Sequence, residues 1–498
     1  MSTPNPSSAP PARAELHRAV SRFGFFALAF GSMIGVGWVT SVGSWLTSAG
    51  PLGAVLAFLV GGAIMLTIGL CYAEATPMLP LSGGEVAYSY AAFGSKHAFI
   101  VGWCLAFGYI AISGFEAISV GKVLGFLLPD LAGDAIYHVG ESFVYPWHLA
   151  LAGLSTVAVT ALQYRGVAGT ERVQRWLVIA FTLVCLAFIV VGIGTGQVAN
   201  AKPFFGTAVT TLGWGGGFLT VLVTVPFWFV GFDTVPQAAE EADGSVQPRQ
   251  LAAILIGSIV AAAAFYVLII VAVAVVGPWQ EIAGADLPAA AAFTAAFGSP
   301  ILARLVLVAA LLGLFTSWNG FFLAGSRVLF ALGRGRIIPA WFGVTHPRFG
   351  TPHHAVLFTG ALTLLAPLMG RDALIPFVNA GSLLIAAAFL GVTLSVARLR
   401  RTAPDLPRPY RLPGGRTIPT LAAIGAAGLI AAMVVPASPA ALAWPGEVLI
   451  LAVTFALALI VWVRGASTRA NLDPAQRDYL ILEKYSAACR PANPPPIL

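Results

Sequence analysis

The sequence predicts an all-α membrane protein of twelve transmembrane helices, built as a 5+5 inverted repeat with discontinuous helices 1 and 6. Three observations predict it. Of 498 residues, 58% are hydrophobic and 9% charged, with a mean hydropathy of +0.86, where a soluble chain carries about 25% charged residues. Apolar runs longer than the ~20 residues that cross a bilayer recur along the chain. Two of those runs are interrupted, about two hundred residues apart, and their neighbours repeat the same spacing.

The N-terminal stretch MSTPNPSSAPPARAELHRAV is rich in Pro, Ser and Ala and lacks an apolar core. Residues 1–22 are therefore expected to be a disordered cytosolic tail rather than a signal peptide. Helix 1 is expected over 23–49 and helix 2 over 52–77. LSGGEVAYSYAAFG, 81–94, reads as an amphipathic segment at the cytosolic surface. Helices 3, 4 and 5 are expected at 98–128, 147–163 and 174–196. Helices 6 to 10 follow at 218–240, 250–277, 300–333, 354–370 and 373–398, and helices 11 and 12 at 417–436 and 444–464. The resulting units are 23–200, 201–400, 401–464 and a cytosolic C-terminal tail at 465–498.

Helix 1 carries Gly31-Ser-Met-Ile-Gly-Val-Gly37 in mid-membrane, where glycine weakens a helix most. Helix 6 carries a matching interruption, VPFWFVGFDTVPQ, centred near Gly231, 196 residues after Gly35. Helices 2 and 7, 3 and 8, 4 and 9, and 5 and 10 start 198, 202, 207 and 199 residues apart. Five is odd, so a second copy of a five-helix unit inserts upside down. An inverted repeat with broken helices in matching positions points to a secondary transporter. In lipid an unpaired peptide group costs several kcal/mol, so unwound backbone survives only where it lines a cavity. Its free N–H groups suit a carboxylate and its free C=O groups an ammonium.

Arginine and lysine set the expected orientation. With the N-terminus inside, the cytosolic segments hold nearly all of the 27 basic residues, leaving Lys122, Lys202, Arg304 and Arg371 outside. Both termini are then cytoplasmic, in a multi-pass inner-membrane protein surrounded by lipid. The net charge of +7 is spread over short loops, so no nucleic-acid partner is expected. The four cysteines show no metal spacing and no disulfide framework. There is no HExxH, GxSxG or GxxxxGK[ST] motif, so an enzyme is not expected; a channel would repeat polar rings around a symmetric pore.

The chain resembles the amino acid–polyamine–organocation family of permeases over residues 23–464. The motifs that carry the resemblance are GSMIGVGW, CYAEATPMLPLSGGEVAYSYAAFG, FWFVGFDTVPQAAEEA and GSRVLFALGRGRIIPAWFGVTHPRFGTPHHA, in that order. The resemblance implies the five-plus-five (LeuT-like) fold and a midplane site between helices 1, 3, 6 and 8. It maps carboxylate binding to Ser32, Met33, Ile34, Gly35, Val36 and Gly37. It maps ammonium binding to the carbonyls of Phe227, Trp228, Phe229 and Val230, beside Gly231 and Asp233, with Trp228 and Phe229 bordering the pocket. Trp228 stands either at this pocket or against lipid or a neighbouring helix.

Asp233 has two readings: a proton or cation partner, or an N-cap for the second half of helix 6. Glu116, well inside helix 3, is a second candidate for proton coupling, the alternative being a pairing with another polar group; Lys122, six residues on, is off its face and is expected to snorkel. Glu74, Glu240 and Glu241 read as gate or helix-end charges, with Arg327 a partner for one of them. Many relatives resemble sodium-coupled transporters in which a helix 5 lysine replaces the ion; here Phe181 or Thr182 stands at that level. Thr316, Ser317 and Asn319 on helix 8 offer hard oxygen ligands instead. No cofactor is expected, and coupling to H+, to Na+ or to neither stays open. The expected function is a permease for a small neutral or apolar amino acid, acting as monomer or homodimer; the alternatives are an amine or polyamine permease and a non-transporting sensor of the same fold.

Overall fold

The computed structural model describes residues 14, 16, 18, 20–128, 134–139, 142–166, 170–206 and 213–489. α1 (Arg22–Met33) starts at Ser21, whose hydroxyl accepts the Gly24 N–H at 3.1 Å and satisfies one orphan donor of the first turn. After residues 34–36, which leave the helical path, α2 (Gly37–Met78) begins; it is two helices joined at Gly50, with φ 71° and ψ 169°. The side chain of Pro51 and the left-handed φ at Gly50 force the turn between them. α3 (Gly84–Phe93) and α4 (Ser95–Leu127) follow. A two-stranded antiparallel ribbon, β1 (Tyr137–Val139) and β2 (Ser142–Val144), leads into α5 (Pro146–Arg165) and α6 (Thr170–Thr195).

The second half opens with a helix in three pieces, α7 (Trp214–Leu222), α8 (Val225–Phe229) and α9 (Thr234–Ala238). Then come α10 (Pro248–Val276), the short α11 (Trp279–Ala283) and α12 (Pro288–Phe297), and the long α13 (Pro300–Arg334). α14 (His353–Leu365), α15 (Leu374–Thr402), α16 (Thr417–Val434) and α17 (Gly446–Arg464) complete the bundle. α18 (Ala466–Asn471), α19 (Pro474–Leu482) and α20 (Ser486–Cys489) fold back beneath it.

The protein is an all-helical, multi-pass membrane protein. Among the described residues, eight helical segments are long and apolar enough to cross a bilayer, the first being Arg22–Met78, which holds expected helices 1 and 2 together. α5, α13 and α14 occupy the places of expected helices 4, 8 and 9 and are not among the eight. The outer surface is studded with large apolar side chains: Leu154, Val190, Ile301 and Leu459 are 64–71% exposed. Such a surface suits hydrocarbon, not water. Inside, α2 packs along α10, and α4 along both α13 and α15.

The face that carries the N-terminal segment, called the N face below, is closed by charge pairs. Glu74 accepts from Arg400 at 2.5 and 2.9 Å and from the Leu412 N–H at 2.8 Å, with Arg408 at 3.3 Å. Arg327 pairs with Glu241 at 2.9 Å and Arg334 with Glu240 at 3.0 Å. The chain before α1 is pinned there too: the Val20 N–H donates to Glu241 O and the Asp243 N–H to Val20 O. The expected tail at 1–22 therefore has an ordered end, while residues 1–13 lie outside the described residues.

One expectation is corrected. The segment 81–94 does not lie on the surface; α3 is buried from Gly84 to Tyr90, because Glu85 and Tyr90 both find polar partners inside. The C-terminal segment is folded as far as Cys489. Ile481 and Leu482 of α19 are buried, Asp478 accepts from the Tyr90 hydroxyl at 2.6 Å, and Arg469 of α18 donates to Ile337 O at 2.9 Å.

Candidate functional site

The two interrupted helices meet at one point. The path of α1 ends at Met33, and among the described residues no acceptor takes the N–H groups of Gly35 and Val36. On the other helix, Val230 turns out of α8 with ψ 141°, and no donor reaches the carbonyls of Phe227, Phe229 and Val230. The breaks touch directly, since a Cβ on Gly231 would stand 2.8 Å from the Met33 side chain. Tyr266 of α10 joins them, its hydroxyl lying 2.5 Å from Met33 O and 3.2 Å from Trp228 O.

A small pocket of about 20 Å³, room for about one water, sits at this junction. Ser32, Met33, Gly35 and Gly37 form its helix 1 side, Phe227 and Trp228 its helix 6 side. Ile112, Phe115, Glu116, Tyr266 and Phe321 close it. Above it, on the side away from the N face, lies a cavity of about 710 Å³ lined among others by Thr40, Ser41, Trp45, Lys122 and Asn379. Trp228 and Phe115 line both spaces and form the partition between them. The Trp228 ring is held by its Nε1–H donating to Thr224 Oγ1 at 2.9 Å, by edge contacts with Trp45, Phe115 and Phe227, and by the bare backbone of Gly37. A Cβ on Gly37 would be 2.6 Å from the Trp228 ring. Of the two positions open to Trp228, it takes the pocket.

The remaining expected residues separate. Ser32 spends its hydroxyl on Leu28 O at 2.6 Å and packs against Gly320 of α13. Ile34 and Val36 are buried but do not line the pocket, and neither do Val230 and Gly231. The ring of Phe229 lies by Phe58 and Tyr266 and Phe229 does not line the pocket; the expected border role of its side chain is not met. Glu116 is brought to the pocket, with Ser317 donating to its Oε1 at 2.6 Å, and Gly35 is pressed against that pair. Thr316 caps Gly313 O at 2.7 Å and faces Gly31 rather than the pocket. Asn319 turns to α5, where Gln163 donates to its side-chain oxygen at 2.7 Å and its carbonyl at 2.9 Å. The three helix 8 oxygens therefore do not converge.

Asp233 occupies the N-cap position of α9 but makes no side-chain cap bond; its Oδ1 accepts backwards from the Gly231 N–H at 2.8 Å. It lies below the pocket, toward the N face, near Tyr109 and Glu85. Lys122 does not snorkel outward: its Nζ is 3.5 Å from Thr40 O, inside the upper cavity. Arg327 does find an acid, Glu241, as its position suggested. Tyr266, Ile112, Phe115 and Phe321 were missed from sequence. Tyr266 left a signal, a lone hydroxyl amid the aliphatic run AAAAFYVLII at membrane depth; the other three look like ordinary core.

The family described as "Amino acid permease" matches residues 20–463. The branched-chain amino acid permease BcaP of Bacillus subtilis (strain 168) is 32% identical over 421 residues, covering 82% of this chain and 86% of the relative. The protein of the same name from Lactococcus lactis subsp. cremoris (strain MG1363) is 30% identical over 419 residues, 80% of this chain and 86% of that one. The methylthioribose transporter of B. subtilis is 28% identical over 419 residues, covering 82% and 87%. These relatives are transport proteins, not enzymes. The matched span contains both helix breaks, the pocket between them and the charge pairs of the N face, and the chain belongs to the amino acid permease family, within the amino acid–polyamine–organocation permeases that its motifs resemble.

Proposed function

We propose that the protein moves a branched-chain or similarly apolar amino acid across the cytoplasmic membrane by alternating access, with the N face cytoplasmic and the large cavity open to the outside. The observation that carries this is the junction pocket. Its helix 1 side carries Gly35, whose N–H is unbonded and suits a carboxylate, its helix 6 side carries Phe227, whose carbonyl is unbonded and suits an ammonium, and its walls are the apolar side chains of Ile112, Phe115, Phe227 and Phe321. The printed names of two relatives agree with an apolar, branched side chain.

The underlying fold on this reading is twelve spans with a five-plus-five inverted repeat. Helix pairs related by the two-hundred-residue offset pack on one another, α2 with α10 and α4 with α13, and the two breaks abut. The cavity side is open and the N side closed by Arg327–Glu241 and Arg334–Glu240. Substrate enters the cavity, Trp228 swings off Gly37, and the pocket expands around the amino acid. Rocking of the broken helices then parts the N-face pairs.

A thermal-shift panel on the purified protein tests the substrate class. L-leucine, L-isoleucine and L-valine are expected to stabilise it, by about 2.7 kcal/mol at a hundred times Kd. Stabilisation by putrescine or arginine, with none by the branched-chain set, overturns the reading.

A further inference from the structure

Below the pocket, between the helix 6 break and the N face, lies a buried polar cluster that substrate binding does not use. Glu85 of α3 and Asp233 are each 0% exposed. Gln237 of α9 donates from Nε2 to Glu85 Oε2, and Asp233 Oδ1 takes the Gly231 N–H. The other oxygen of each acid, Glu85 Oε1 and Asp233 Oδ2, has no hydrogen-bond partner. Neither do Gln237 Oε1 or the hydroxyls of Tyr72 from α2, Tyr88 from α3 and Tyr109 from α4, although Tyr72 lies beside Glu85 and Tyr109 beside Asp233.

Among the described residues no cation balances these acids. The arginines of this face, Arg327 and Arg334, are engaged by Glu241 and Glu240, and no lysine or histidine pairs with either acid among the described residues. Two neighbouring carboxylates without a counter-ion, sealed from water, do not both stay charged; one proton is shared or one group is neutral. Burial, and then the charge of Asp233, push the Glu85 carboxyl well above the usual carboxylate range. Among the described residues no group of three or more His, Cys, Asp or Glu side chains is placed to hold a metal ion, and an amide N–H and phenol hydroxyls able to donate lie beside the acids. The vacancy in the charge balance is the size of a proton.

We propose that Glu85 and Asp233 together hold one proton while the N face is shut, and that Glu85 releases it to water on the N side when α3 and α9 part, coupling proton entry to amino acid entry. This rests on the permease reading above. On release the O–H bond of the Glu85 carboxyl breaks, the proton passes to water, and the carboxylate left behind is solvated by the opened mouth. Asp233, at the break itself, is the route by which a proton from the cavity side reloads the pair. The cluster stands where the helix 6 break meets α3, with Asp233 bonded to the Gly231 N–H and Gln237 of α9 bonded to Glu85.

The test uses the full chain in liposomes with radiolabelled L-leucine. Wild type is expected to accumulate leucine under an inward proton gradient without sodium. Glu85→Gln, a fixed copy of the loaded form, is expected to keep leucine–leucine counterflow within about two-fold and to lose gradient-driven accumulation by at least about ten-fold, with partial rescue in Glu85→Asp. Proton-driven accumulation in Glu85→Gln equal to wild type, loss of counterflow along with accumulation, or wild-type accumulation that follows sodium alone overturns the proposal. A second readout does not need transport: the infrared carbonyl stretch of a protonated carboxylic acid at neutral pH is expected to weaken in Glu85→Gln, and an unchanged band overturns the proposal. A wild type that moves no leucine, with the infrared change present, defeats the substrate reading and leaves the proton site standing.

Discussion

Gly37 shows how far a single missing methyl can set a site. The Trp228 ring lies where a Cβ would be, so the aromatic partition between cavity and pocket can close only over bare backbone. Gly37→Leu is therefore expected to keep the partition from seating and to abolish ligand-induced thermal stabilisation; a variant stabilised by leucine like wild type would place the substrate elsewhere. Sequence reading reached Gly35, Gly37 and Trp228 because glycines in mid-membrane and an aromatic beside a break are conspicuous in one dimension. It did not reach the partner of Glu116, since Ser317 is 201 residues away and a serine facing an acid looks like any other helix serine. Asn319 illustrates the opposite error. Its side chain has the right chemistry for a cation, but Gln163 takes it, a fact set by the rotation of α5 against α13 and by nothing in the local motif.

At the scale of elements, α2 is the informative case. Sequence placed two helices at 23–49 and 52–77, and the join at Gly50 confirms that boundary to a residue or two because Gly-Pro breaks a helix in a defined way. The backbone of residues 205 and 206 packs against this corner, with Gly206 N 2.3 Å from where a Cβ on Gly50 would sit. Gly50→Ala is expected to cost at least the ~1–2 kcal/mol of a left-handed non-glycine residue, read as a lower melting temperature in detergent; an unchanged melting temperature would mean the corner is free to rearrange. α3 went the other way. Its alternation of polar and apolar residues reads as a surface helix when one imagines water on one side. In the folded protein that side is met by Gln237 and Asp478. Amphipathicity told where the polar groups point, not what they would find.

For the molecule as a whole, the arrangement is one open end and one latched end. The open end is the cavity over Trp228; the latched end stacks Glu241, Glu240 and Glu74 against four arginines. Charge counting along the chain found the basic side, because loop arginines survive averaging. It did not find the pairing, which joins residues from 86 positions apart (327 − 241) to 334 (408 − 74). Both the family motifs and the repeat spacing lie in the membrane part, so sequence gave the C-terminal segment no structure at all.

That segment has a consequence of its own. α19 grips α3 through Asp478 and Tyr90 and packs Ile481 onto Gly335 at the end of α13, so it straddles two elements of the N face. On the alternating-access reading proposed above, such a clasp acts as a governor, setting turnover without altering which solute is chosen. Tyr90→Phe, which loosens the grip by one hydrogen bond of about 1 kcal/mol, is expected to raise the maximal leucine uptake rate a few-fold at unchanged KM. A raised KM at unchanged maximal rate would show instead that the segment acts on the solute's seat.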